Sequence, residues 1–276
     1  EDMRWKRYSI AMDMTGITRK RAAEILAETL KSDYKYNFDS DGYTIKDRRG
    51  LIWNLLPSDN IKAEKTLNSK IVGANYLYQI KLFTPFFYTN DFASMEELTE
   101  IMKTGGALVN DTTKMSVILD VAGMEHKERY KTNLENLYKS KGFLFQKAIG
   151  TDFDKLADCS QLDEKGTAEF PIFKSILSIR ELLSYIQMAQ VINNYAQRQK
   201  LVSQKVNHST NEKFLMRTWL VRAGMVGAEY RFARKLFTES LPGDSAWLNN
   251  VNCAETQKYQ VNDEEQMMTD ENDISM

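Results

Sequence analysis

Between residues 9 and 14 polar and apolar side chains alternate, Ser9-Ile10-Ala11-Met12-Asp13-Met14, and Thr15-Gly16-Ile17-Thr18 then breaks the run. A period of two predicts a strand, and Thr18 stands where it can cap a following helix. Over residues 19 to 30 the period changes. Ala22, Ile25, Leu26 and Leu30 fall at i, i+3, i+4 and i+8, which gathers them on one face of a helix and would scatter them over both faces of a strand. Such a helix needs a sheet to cover. Residues 43 to 47 and 51 to 55 are β-rich runs joined by Arg48-Arg49-Gly50, which predicts a hairpin with Gly50 at a left-handed turn position. Residues 76 to 84 read as a strand stopped by Pro85, residues 95 to 103 as a helix closed by Gly105-Gly106, and residues 115 to 121 as one more alternating strand.

From Tyr130 onward helices dominate: one over 131–149, a long one over 176–205, and one or two over 211–241, with a short strand at 167–173. In the long helix Leu182, Ile186, Ala189 and Ile192 recur every three or four residues, the spacing of a core-facing side. The chain is therefore expected to be α+β, a mainly antiparallel β-sheet covered by helices on one face, with a helical carboxyl-terminal half. We expect one domain over residues 1–255, strand-rich over 1–125 and helix-rich over 126–255, followed by an acidic flexible tail at 256–276.

Charge adds one feature to this picture. The tail holds Asp263, Glu264, Glu265, Asp270, Glu271 and Asp273 against Lys258 alone. Residues 198–235 are its opposite, with nine lysines and arginines against Glu212 and Glu229. Either a basic face binds an anion, with Arg217, Arg222, Arg231 and Arg234 as candidate contacts, or the acidic tail folds back on it. Over the whole chain 37 basic and 38 acidic side chains nearly cancel, so the net charge of -1 names no partner.

With 276 residues, 42% of them hydrophobic and 27% charged, the chain can bury one sizeable core without disulfides or metals. Cys159 and Cys253 form no C-x-x-C motif, which argues against a disulfide framework or a cysteine zinc site and suits a reducing cytoplasm. His126 and His208 are the only histidines, too few for a multi-histidine metal site, and they leave a Ser-His-Asp triad few ways to assemble. No metal site is expected. No glycine-rich phosphate loop occurs, and no apolar run approaches the length of a membrane span. The first residues, Glu-Asp-Met-Arg-Trp-Lys-Arg, do not read as a secretion leader. What remains is carboxylate and amide chemistry: Asp13, Asp59, Asn110, Asp120 and Glu169, each in or near an expected strand. Carboxylates projecting from one sheet face can converge on Mg²⁺ and phosphate oxygens, because Mg²⁺ prefers hard oxygen ligands.

The order of these elements resembles the amidoligase family. The resemblance runs through Tyr8-Ser-Ile-Ala-Met-Asp-Met-Thr-Gly-Ile-Thr-Arg19, Trp53, Leu82-Phe-Thr-Pro85 and Gly106-Ala-Leu-Val-Asn110. It continues through Gly166-Thr-Ala-Glu-Phe170, Ser184-Tyr-Ile-Gln187, Ser209-Thr-Asn-Glu-Lys213, Arg217-Thr-Trp-Leu220 and Gly243-Asp-Ser-Ala-Trp247, covering roughly residues 8 to 250. It implies a carboxylate-amine ligase fold related to glutamine synthetase and glutamate-cysteine ligase. It also implies activation of a carboxylate with ATP and Mg²⁺ before coupling to an amine. Trp53, Trp219 and Trp247 are expected to be structural.

This sequence departs from that pattern at its chemical positions. The family's first strand carries two glutamates two residues apart, hence on one face, where this chain has Ala11 and Asp13. The glutamate before Thr-Pro is replaced by Lys81, the His-x-His strand by Ser116-Val117-Ile118, and Glu-Phe-Arg by Glu169-Phe170-Pro171. After Trp53 the family's basic and acidic positions hold Asn54 and Ser58, with Asp59 a displaced substitute. Losing one electrostatic contact to a transition state costs about 3 kcal/mol, so these replacements predict a degraded, inactive member.

Three functions stay open on the sequence. One is a non-catalytic binding or regulatory protein needing no cofactor, whose partner would be another protein such as an active ligase subunit or a host enzyme, since the family resembles proteins carried by phages and mobile elements. Another is a divergent ATP- and Mg-dependent ligase using Asp13, Asp59, Asn110 and Glu169. The third is a nucleic-acid or nucleoprotein binder contacting phosphates through the basic segment. If Ala11, Lys81, Ser116 and Ile118 occupy the former catalytic face, they are expected to converge at one end of the sheet, with Lys81 placed to pair with Asp13 where Mg²⁺ would sit.

Overall fold

The computed structural model describes residues 7–88, 92–207 and 210–244. His208, Trp247, Cys253 and the acidic segment 256–276 lie outside the described residues. The first strand, β1 (Arg7–Met14), is followed by helix α1 (Arg19–Leu30), and Thr18 caps α1 by accepting from the Arg21 N–H. Four strands come next: β2 (Tyr34–Asn37), β3 (Gly42–Lys46), β4 (Ile52–Leu56) and the first arm of a separate hairpin, β5 (Glu64–Leu67). That hairpin closes with β6 (Lys70–Gly73), and β7 (Ile80–Phe83), β8 (Phe87–Tyr88), α2 (Phe92–Thr104) and β9 (Lys114–Asp120) follow. The remainder is α3 (Lys127–Ile149), β10 (Thr167–Lys174), α4 (Ile179–Arg198), α5 (Glu212–Ala223) and α6 (Arg231–Glu239).

The expected antiparallel sheet is present. Its strand order is β10-β9-β1-β7-β4-β3-β2, with β8 pairing the start of β1, so the earliest strand lies in the middle. Alternation explains the two faces. Tyr8, Ile10, Met12 and Met14 of β1 line up with Met115, Val117 and Leu119 of β9, Ala168 and Phe170 of β10, Ile80 and Leu82 of β7, and Trp53 and Leu55 of β4, all of them buried. Helices cover this side: α1 on β3 and β4, α4 on β9, and α3 on β10. Ala11 has an apolar side chain and is fully buried, yet it lies outside that core, because odd positions of β1 face the other way.

The hairpin over β3 and β4 pairs Tyr43 with Leu55 and Ile45 with Trp53, and Gly50 has φ 83°. Asp47 holds the turn by accepting from the N–H groups of Arg49 and Leu51 at 2.9 and 2.8 Å. Two expectations need correction. The strand read over 76–84 starts only at Ile80, because Asn75 accepts from Leu77 N and turns residues Tyr76–Tyr78 into one 3₁₀ turn. The helix read over 176–205 stops at Arg198 because two asparagines of α3 capture the backbone that follows. Asn133 donates to Gln199 O and accepts from Val202 N, and Asn136 donates to Val202 O. The region 211–241 is two helices, broken at Gly224, whose φ of 120° disfavours any other residue. Strands β2, β5, β6 and β8 were not foreseen. β5 and β6 meet at Asn68-Ser69, both with positive φ, a tight hairpin turn carried without glycine.

Among the described residues no helix is long and apolar enough to cross a membrane. Trp219 and Trp53 are buried as expected, Trp219 only 4% exposed with Phe145 edge-on at 4.9 Å and Tyr195 at 5.7 Å. Trp219→Ala is therefore expected to lower unfolding free energy by about 3 to 5 kcal/mol in urea titration. A loss under about 1 kcal/mol would remove Trp219 from the core. At Gly16, φ is 90° and a Cβ would lie 2.4 Å from the Gly106 carbonyl oxygen. Gly16→Ala should cost at least about 2 kcal/mol by the same titration, since both the conformation and the contact resist a side chain.

Candidate functional site

Register places the positions singled out in the sequence on the face of the sheet opposite the helical core. Ala11 pairs with Phe83 on one side and Ser116 on the other, Asp13 pairs with Lys81, and Ser9 pairs with Ile118, which in turn pairs with Glu169. Ala11, Lys81, Ser116 and Ile118 thus share one face on three adjacent strands. They occupy three consecutive rows along β1 instead of gathering at one end of the sheet, because antiparallel register holds each beside its own partner.

Asp13 is the polar centre of this face. It is 5% exposed, and its Oδ1 accepts from the Ser58 hydroxyl at 2.8 Å while its Oδ2 accepts from the Lys114 N–H at 3.1 Å. Lys81 Nζ lies 3.8 Å from Oδ1, with about a third of the lysine side chain open to water. The hydroxyl and the amide satisfy the carboxylate, and the ammonium balances its charge at the outer limit of an ion pair. Neighbouring rows hold Ser9, whose hydroxyl donates to Thr84 O at 2.7 Å, and Arg7, 3.4 Å from Asp120.

The other candidates do not join Asp13. Asp59 follows Ser58 but is exposed. Asn110 is a clamp: its amide nitrogen donates to Lys62 O and to Glu64 Oε2, and its oxygen accepts from Thr112. Lys62, hydrogen-bonded to Glu64, and Asn110 after it hold the Glu64 carboxyl below the usual carboxylate range. Glu169 is on the polar face but two strands over and two rows away, roughly 16 Å from Asp13 by strand geometry. Pro171 occupies the irregular stretch between Phe170 and Phe173, where the β10–β9 register shifts and no ladder N–H is needed. Of the basic candidates, Arg234 donates to the carbonyls of Met225 and Gly227, while Arg217, Arg222 and Arg231 are exposed on α5 and α6.

This donor set does not suit Mg²⁺. One carboxylate with both oxygens already accepting, an ammonium beside it, and the next carboxylate of the face too far to share an ion cannot supply several oxygens to one cation. Among the described residues no three Asp, Glu, His or Cys side chains come together as a metal group. Sequence reading missed the partners more than the positions. Ser58 appeared only as a lost acid and proves to be a donor to Asp13, and the Lys114 amide has no side-chain signature at all. Thr84, quoted as half of a motif, accepts from Ile10 N at 2.9 Å and so ties the end of β7 to β1.

No curated protein and no solved structure matches the chain. A family model described as "Putative amidoligase enzyme" matches residues 7–224, from the first residue of β1 to just past the end of α5. The chain belongs to the amidoligase family.

Proposed function

We propose that this amidoligase-family chain is a non-catalytic binding or regulatory protein whose partner is another protein. The observation that carries the reading is the cross-strand contact of Lys81 with Asp13, with Ser58 and the Lys114 amide completing the carboxylate's partners. A cation-dependent ligase needs that carboxylate for the metal. Here its oxygens are committed to the protein, and the ammonium supplies the positive charge internally. Ala11 contributes no ligand, and Ser116 and Ile118 supply neither imidazole nor a second charge.

The reading is tested with nucleotide. ATP with Mg²⁺ at a hundred times any physiological Kd would add about 2.7 kcal/mol to a chain that binds it, a readily measured rise in Tm. The expected result is no shift. A saturable rise would return the chain to the divergent ligases. A second test separates the parts of the site. Asp13→Ala should cost about 2 to 3 kcal/mol, because Ser58 and Lys114 N lose their acceptor inside the sheet. Lys81→Met should cost about 1 kcal/mol or less, the contact being long and partly screened. Both variants should unfold at the same denaturant concentration with and without Mg²⁺, and a Mg²⁺-dependent gain in Lys81→Met would show that the lysine displaces a cation the site can still hold.

A further inference from the structure

Side chains of α3 and α5 meet at two points, in opposite chain order. Lys147 Nζ is 2.6 Å from Glu212 Oε1 at the start of α5, and Phe145 meets Trp219 in its middle. One turn back along α3 and one turn on along α5, this geometry brings Lys141 beside Arg222. Lys141 is half-buried, Arg222 is exposed, and no hydrogen bond or ion pair engages either among the described residues. Burial first, and the Arg222 guanidinium second, hold the Lys141 amine below the usual ammonium range. Three other basic groups of this region are occupied. Lys147 pairs with Glu212, Arg198 donates to the Ala223 carbonyl that ends α5, and Arg234 donates to the loop beyond it. Two adjacent cations without an acid, one of them half out of water, form a site that an anionic group would stabilise.

The path of the chain names the anion. After α6 the backbone returns to the first turn of α5, where Lys213 N donates to Pro242 O at 3.0 Å and Ser240 donates to Lys147 O at 3.1 Å. From that point Lys141 is about 9 Å away along α3 and Arg222 about 14 Å along α5, at the helical rise per residue. Asp263, where the acidic run Asp263, Glu264, Glu265, Asp270, Glu271 and Asp273 begins, stands nineteen positions beyond Asp244. A flexible linker of nineteen residues spans roughly 24 Å root-mean-square, so the length suffices for the reach. Tethering at that span gives a local concentration on the order of millimolar, so a weak ionic contact suffices. We propose that the acidic segment 263–273 of this chain docks on the Lys141–Arg222 site between α3 and α5. An acidic partner would have to displace it.

Carbodiimide cross-linking of the full chain joins amine to carboxylate with no spacer and reads the contact directly. In an equal mixture of unlabelled and ¹⁵N-labelled protein, mass spectrometry should find Lys141 joined to a carboxylate in 263–273 within one isotope. The yield should fall about tenfold between about 50 mM and about 0.5 M salt as the screening length shortens. Arg222→Glu should lose the link while thermal unfolding is retained. Amidating the six carboxylates by Asn and Gln substitution in the full chain should make Lys141 acylate several-fold faster, since its neighbouring negative charge is gone. Mixed-isotope links would identify a second copy as the occupant and overturn the proposal. So would a Lys141 that stays reactive but joins only other carboxylates.

Discussion

A carboxylate buried in the central strand of a sheet must be met from both sides, and the position of Asp13 constrains much of what surrounds it. β1 is hydrogen-bonded to β7 and β9 along its length, so its odd-numbered side chains cannot turn away to water. The charge at Asp13 therefore draws in the loop after β4 through Ser58, the first amide of β9 through Lys114, and the strand β7 through Lys81. Leaving such a group unpaired would cost several kcal/mol, more than any single surface contact returns.

The segments that carry the family resemblance are mostly those that join elements. Thr15 exchanges hydrogen bonds with Leu108 and with Glu64, which docks the β5–β6 hairpin and the loop before β9 onto the end of β1. Arg19, at the first position of α1, is almost fully buried and donates to Asp41, Tyr76 and Gln79, tying the β2–β3 turn to the approach of β7. Trp53 is buried beside Phe87, with ring centroids 5.5 Å apart. None of these contacts involves Ala11, Lys81, Ser116 or Ile118, so a change at those four positions leaves them in place.

Periodicity made β1, α1, the β3–β4 hairpin, α2, β9, α3 and β10 legible, because each has one buried face and a matching period in the sequence. It failed where the deciding contact is polar and distant. Nothing local in Gln199–Val202 shows that Asn133 and Asn136, some seventy positions away in the chain, will hold that stretch extended. The short strand β2 reads Tyr-Lys-Tyr-Asn and is mostly exposed, so its pattern carries little burial signal. At the site, the identity of Lys81 as the neighbour of Asp13 followed from aligned motifs, while the roles of Ser58 and Lys114 depend on where a loop and a strand start, which only the assembled sheet defines. Asn110 misled because an amide near a strand end is equally suited to ligand and to clamp, and only its three partners, Lys62, Glu64 and Thr112, decide.

The central place of β1 also sets an order of events during synthesis. Its neighbours are Ile80–Phe83 and Lys114–Asp120, so this central strand is not paired on both sides until about a hundred further residues have been made. At ordinary elongation rates that interval is on the order of 5 to 20 s. Throughout it Tyr8, Ile10, Met12 and Met14 form an apolar stripe with nothing to cover it except α1, whose own apolar side is equally unpartnered. The long-range pairing that gives the finished sheet its middle also makes the nascent chain a client for whatever shields apolar segments at the ribosome.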